Sequence, residues 1–122
     1  MAGEKILDID DSPTVQRLIE MILTTQGYQV ILASDCEEGV AKARSERPAV
    51  ILVDFVMPKM NGFELTVKIK SDNKLRDTPV VLLTSLESRE DRERGIEVGA
   101  DAYLMKSSFD QTNLLEIIKK LI

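Results

Sequence analysis

The stretch Lys5–Leu23, KILDIDDSPTVQRLIEMIL, changes its periodicity at Asp10. Its first residues, KILDI, are of strand length and apolar apart from Lys5 and Asp8. After Asp10 and Asp11 come Ser12 and Pro13, which suit the cap and first turn of a helix. Val15, Leu18, Ile19, Ile22 and Leu23 then recur on one helix face, and Gly27 follows as a stop. A strand therefore passes through an acidic turn into an amphipathic helix. Three carboxylates, Asp8, Asp10 and Asp11, fall within four positions of that turn.

The same unit recurs along the chain. Short runs rich in apolar residues stand at 5–9, 29–33 (QVILA), 49–53 (AVILV), 79–83 (PVVLL) and 101–105 (DAYLM). Runs of this kind that lack alternation are the mark of parallel strands covered on both faces. Helical patterns fill the intervals: Glu38–Arg47, Phe63–Lys70, Ser88–Val98, and a last segment with Leu114, Leu115, Ile118, Leu121 and Ile122 on one side. Alternation of this order predicts a doubly wound α/β sandwich, (βα)5, with a parallel sheet between two helix layers. The fourth helix differs, with Ile96 and Val98 as its large apolar residues. Pairs such as Arg89 with Glu93 add only about 0.2–0.5 kcal/mol each, so this helix is expected to dock weakly and to be free to shift.

Composition narrows the function. A chain of 122 residues, 43% hydrophobic, suits one domain, residues 1–122, with one core. No apolar run approaches the roughly 18–20 residues of a membrane span and no signal pattern opens the chain, so a cytoplasmic protein without membrane contact is expected. A net charge of −5 without a basic run argues against direct nucleic-acid binding. Cys36 is the lone cysteine, which leaves no disulfide framework or thiolate metal site. There is no histidine, so any chemistry runs on carboxylates, hydroxyls and lysines.

In open α/β sheets ligands bind beyond the carboxyl ends of the strands. There the sequence supplies Asp10 and Asp11 after the first strand, Asp54 after the third, Thr84 and Ser85 after the fourth, and Lys106 after the fifth. Three gathered carboxylates repel one another and call for a counter-ion. An all-oxygen donor set favours a hard cation, and Mg2+ shared with waters and a phosphate fits better than a closed calcium cage. Asp54 could then act as a carboxylate nucleophile toward phosphorus, with Lys106 and Thr84 binding phosphoryl oxygens. Each residue alone has a plainer reading: Asp11 or Ser12 as a helix cap, Asp54 at the start of a loop, Thr84 at a strand end, Lys106 as a solvated charge.

With these residues in hand, the chain resembles the receiver domains of bacterial two-component response regulators, the CheY-like family. VDFVMPKMNGFEL (Val53–Leu65) carries the resemblance most specifically, supported by DDSPTV, LLTSL and GADAYLMK in order. The resemblance covers essentially the whole chain. It implies a flavodoxin-like sheet in strand order 2-1-3-4-5. It implies Asp54 as phosphoacceptor, and Asp10, Asp11, Asp54 and the backbone carbonyl of Val56 as Mg2+ ligands. Thr84 and Lys106 would contact the phosphoryl group, and Thr84 with Tyr103 would switch the surface of the fourth helix, fifth strand and fifth helix. The phosphoryl donor would be a sensor histidine kinase or a histidine phosphotransfer domain. The output would be either contact with a downstream protein target or residues outside these 122, since no DNA-binding segment stands among the 122. YLMKSSFDQTNLLEII (103–118) is closer to receivers attached to chemotaxis-type histidine kinases than to stand-alone regulators.

The chain departs from the family pattern in three places. Ser107 follows Lys106 where the family has a cis proline; a cis bond before serine costs about 2.5–4 kcal/mol, so a trans bond is expected. Val56 and Leu86 are apolar where relatives often carry polar groups, which should restrict attacking water. Asp8 stands within a strand, where burial of its carboxyl should weaken the fold. Two further classes of function stay open: an aspartate-nucleophile phosphohydrolase, and a pseudo-receiver that docks without phosphorylation. The hydrolase needs a second Asp two positions after the nucleophile, where Val56 stands, and a flavin site is opposed by the acidic turn DDSPT. Apart from its own phosphorylation and dephosphorylation, no enzymatic activity is expected.

Overall fold

A strand that is apolar throughout is stable only when both of its faces are covered, and a computed structural model of the chain shows how this is achieved. The structure describes residues 3–54, 62–84, 89–105 and 110–122, and of Asp54 the backbone alone. The strands are β1 (Lys5–Ile9), β2 (Gln29–Ala33), β3 (Val50–Asp54), β4 (Val80–Thr84) and β5 (Ala102–Met105). They form one sheet in the order β2-β1-β3-β4-β5, with every neighbouring pair parallel. The helices are α1 (Pro13–Thr25), α2 (Cys36–Glu46), α3 (Gly62–Ser71), α4 (Arg89–Glu97) and α5 (Gln111–Leu121).

Successive side chains on each strand feed opposite sides of the sheet. Ile6, Val50, Leu52, Val81, Leu83 and Leu104 pack with Ile19, Ile22 and Leu23 of α1 and with Leu114 and Ile118 of α5. Leu7, Ile9, Ile51, Val53 and Leu82 turn the other way, toward Ala43 of α2 and toward Phe63, Leu65 and Ile69 of α3. The expected two-layer covering is therefore present, and the chain order reverses between β1 and β3.

Element edges moved for local reasons. β3 and β4 each lie one residue later than expected, and β5 begins at Ala102 instead of Asp101. Pro79 has no N–H to give to a ladder. At Asp101 the side chain replaces a ladder acceptor: its carboxylate accepts from Val80 N–H at 2.8 Å and from Lys70 Nζ at 2.9 Å, while its own N–H donates to Val80 O at 2.9 Å. α2 starts at Cys36, before the expected Glu38, because Asp35 caps it. Asp35 Oδ1 accepts from Glu38 N–H at 2.8 Å, and the Glu38 side chain reaches back to Ser34 N–H at 2.6 Å. The same helix ends at Glu46, since Arg47 turns into the left-handed region at φ 49° ahead of Pro48. On α1 the buried arc is Gln16, Ile19, Ile22 and Leu23, while Leu18, expected inside, is exposed. On α5 the expected Ile122 is likewise exposed, and Asp110 caps the helix start.

Two positions on β1 carry measurable consequences. Asp8 is only 1% exposed, stands in register with Leu32 and Leu52, and shares the sheet face of Ile6. Desolvating a polar group there costs about 1–3 kcal/mol. Asp8→Val removes that desolvation together with the contacts of the carboxyl, and a rise in Tm is expected in a thermal melt; an unchanged or lower Tm would show that those contacts outweigh the desolvation. On the other face, a Cβ at Gly39 of α2 would lie 2.5 Å from Ile9 Cδ1 and 2.9 Å from Cγ1. Overpacking of this kind costs about 1–3 kcal/mol, more than the ~1 kcal/mol that alanine gains as a helix former. Gly39→Ala should therefore lower Tm, and trimming Ile9 to valine in that variant should recover part of the loss.

Candidate functional site

Ladder register decides which strand ends meet. Ile9 is paired with Val53, so the next residues, Asp10 and Asp54, stand side by side on neighbouring strands. Asp54 is paired with Leu83, which puts Thr84 one step further along β4, and Thr84 is in turn paired with Met105. Asp10, the backbone of Asp54, Thr84 and the end of β5 thus share the carboxyl edge, beside the reversal of chain order. This is the place where α/β sheets bind ligands.

Asp10 is fully buried at that edge. Its backbone N–H donates to Ala33 O at 3.0 Å, and its Oδ1 accepts from Ser12 N–H at 2.8 Å. Ser12, for its part, caps α1 through Oγ, which accepts from Val15 N–H at 3.3 Å. Capping is therefore done by Ser12, which leaves the exposed Asp11 carboxylate outside that role. Gln16, which the sequence reading assigned to no role, is buried, and its Nε2 donates to the same Ala33 carbonyl at 2.9 Å. One carbonyl at the end of β2 thereby ties the acidic turn to α1. The signal for Gln16 was its spacing, three and seven residues before Ile19 and Leu23.

On the far side of the edge, Thr84 is also fully buried. The Tyr103 hydroxyl is hydrogen-bonded to the Thr84 side chain, and burial of the ring pushes its pKa above the ordinary value, with that bond opposing the rise. Tyr103 packs against α4, whose buried residue is Gly95. Ile96, expected to help dock this helix, is instead 71% exposed. Arg94 adds a second tie, its guanidinium carbon 4.8 Å from the centroid of the Phe63 ring at the start of α3. An exposed cation over an aromatic face contributes about 0.5–1 kcal/mol, so α4 is held but not deeply seated.

The side chain of Asp54 and residues Val56, Ser85, Leu86, Lys106 and Ser107 lie outside the described residues. Asp10, Asp11, Thr84 and Tyr103 lie within them. Among the described residues no three His, Cys, Asp or Glu side chains gather closely enough to hold a metal ion. The donors present, a buried and an exposed carboxylate in sequence beside the Asp54 backbone, have the chemistry of a hard-cation site completed by further oxygens. Cys36 is buried, and burial raises its thiol pKa, which keeps it protonated. No described helix is long and apolar enough to cross a membrane.

Comparison with known proteins agrees with the fold. Protein PilH of Pseudomonas aeruginosa is 37% identical over 118 residues, 97% of each chain. Chemotaxis protein CheY4 of Vibrio cholerae superimposes with a TM-score of 0.92 at 34% identity, covering 99% of this chain and 100% of that one. The receiver domain of sensor histidine kinase PA1611 from P. aeruginosa PAO1, whose structure has a magnesium ion coordinated in its active site cleft, superimposes with a TM-score of 0.88 at 32% identity, with 98% of both chains covered. The chain spans about two fifths of the probable transcriptional regulators ycf27 that it matches: 43% of that of Porphyridium aerugineum, at 38% identity over 87% of this chain. The family model described as the response regulator receiver domain matches residues 6–119, and to that family the chain belongs.

Proposed function

We propose that residues 1–122 act as one receiver domain that takes a phosphoryl group on Asp54 in a two-component phosphorelay. The observation that carries this reading is the register between β1, β3 and β4, in which Asp10 and Asp54 are neighbours and buried Thr84 stands one strand away. In the reaction, an Asp54 oxygen attacks the phosphorus of a partner's phosphohistidine. A P–O bond forms, the P–N bond breaks, and the imidazole leaves with the electron pair. Asp10, Asp11, Asp54 and the Val56 carbonyl would hold Mg2+, which offsets the charge of the carboxylates and the incoming phosphate when bound. Lys106 pairs with one phosphoryl oxygen and Thr84 donates to another. The Thr84–Tyr103 hydrogen bond offers a path from that contact to the surface of α4, β5 and α5.

The donor is a sensor histidine kinase or histidine phosphotransfer domain, and the output is a protein contact made in the cytoplasm. Net charge −5 supports a role without direct nucleic-acid binding. Chemistry beyond the domain's own phosphorylation and dephosphorylation finds no support in the acidic, histidine-free edge.

Incubation with Mg2+ and acetyl phosphate, followed by intact mass measurement, tests the reading. Wild type should gain one labile phosphoryl group and Asp54→Asn none. Equal labelling of both would reject Asp54, and no labelling of wild type would favour a docking module. Val56→Asn and Leu86→Glu are each expected to speed dephosphorylation by about two- to tenfold, a barrier change of roughly 0.4–1.4 kcal/mol. Unchanged decay rates would show that these side chains do not restrict water.

A further inference from the structure

α4 meets the sheet through a residue with no side chain. A Cβ built on Gly95 would lie 2.9 Å from Tyr103 Cδ2, 3.2 Å from Cε2 and 3.3 Å from Leu82 Cδ1. The space a methyl group would need is filled by the tyrosine ring, and the hydroxyl of that ring is bonded to Thr84. Gly95 is the buried residue of α4, and Tyr103 sits on β5 between α4 and the carboxyl edge. We propose that Gly95 is a positioning residue: its missing Cβ lets the Tyr103 ring lie against α4, so that the tyrosine hydroxyl reaches and orients Thr84.

The contact links the outer helix to the site through ring, hydroxyl and threonine. With the tyrosine hydroxyl turned to Thr84, the threonine hydroxyl is held in a restricted orientation at the strand end. A Cβ at position 95 cannot share that space with Cδ2, because such atoms do not approach within 3.0 Å, so the ring or the helix must move. Either movement loosens Thr84. Helix propensity predicts the opposite of damage, since alanine is the better helix former and would on that ground firm α4.

The inference rests on the phosphoacceptor reading, and a structural readout separates the two. The chain has two tyrosines and no tryptophan, so Tyr28→Phe leaves Tyr103 as the single tyrosine for fluorine NMR of fluorotyrosine-labelled protein. In that background Gly95→Ala should move the Tyr103 resonance in the direction that Thr84→Ala moves it. It should also slow acetyl-phosphate labelling of Asp54 by roughly twofold or more. With Tyr103→Ala, adding Gly95→Ala should change the labelling rate no further, which is the double-mutant signature of an effect acting through the ring. An unmoved resonance overturns the proposal, as does a labelling rate that is unchanged, raised, or equally slowed with and without the ring. A Gly95→Ala protein that folds only when the ring is absent supports the same contact. If wild type takes no label on Asp54, the phosphoacceptor reading fails and the resonance alone decides the role of Gly95.

Discussion

Backbone hydrogen bonds between β1 and its two neighbours hold the molecule in register, and the carboxyl edge exists because of that register. Side chains on a strand alternate with a period of two, so a slip of one residue would send Leu7 and Ile9 to the α1 and α5 side and Ile6 to the other. It would also separate Asp10 from Asp54. The slip is opposed by two separate cores at once, since Ile6 packs in one and Leu7 and Ile9 in the other. Burying a large aliphatic side chain contributes about 1.5–3 kcal/mol, so exchanging the faces of even one strand is prohibitive. The site is thus located by packing that has no chemical role in it.

Against that rigid sheet the helices are held unequally. α1 places Ile19 and Leu23 fully inside and fastens its start with Ser12 and its flank with Gln16. α4 buries a glycine and adds a cation over an aromatic ring. Little apolar area must be exposed for α4 to shift, and low-stability elements are those that move in switching. Its contacts nonetheless run to Tyr103 and Phe63, one bonded to Thr84 and the other at the start of the helix that follows Asp54. A weakly held helix touching both flanks of the edge is well suited to report on it.

Strands and strong helices were legible because their signal is local: AVILV and VVLL are apolar over several consecutive residues, and α1 and α5 repeat at helical spacing. The reading fell short where burial turned on the exact helix arc. Gln16 has no role in the sequence until its bond to Ala33 is seen, and Leu18 reads as core although it lies just off the buried arc. Asp35 is followed three residues later by Glu38, so the early start of α2 was available in the sequence as a capping pattern. Gly95 carried no signal at all. A residue without a side chain shows its use only through what occupies the space beside it, and that neighbour, Tyr103, is on β5, eight positions further along the chain.

The sequence by itself determined the alternation of strand and helix, the absence of histidine from any chemistry, and a set of carboxylates, hydroxyl and lysine at or next to the last residues of the apolar runs. These follow from residue type and short-range spacing, which no tertiary arrangement alters. KILDIDDSP, read alone, already held an acidic turn at the end of a buried strand. Only the tertiary structure decided that β3 lies beside β1, that Asp10 is sealed from water while Asp11 is exposed, and that Tyr103 spans the distance from α4 to Thr84. Strand order, burial and side-chain reach depend on contacts between residues far apart in the chain, and sequence spacing does not encode those distances.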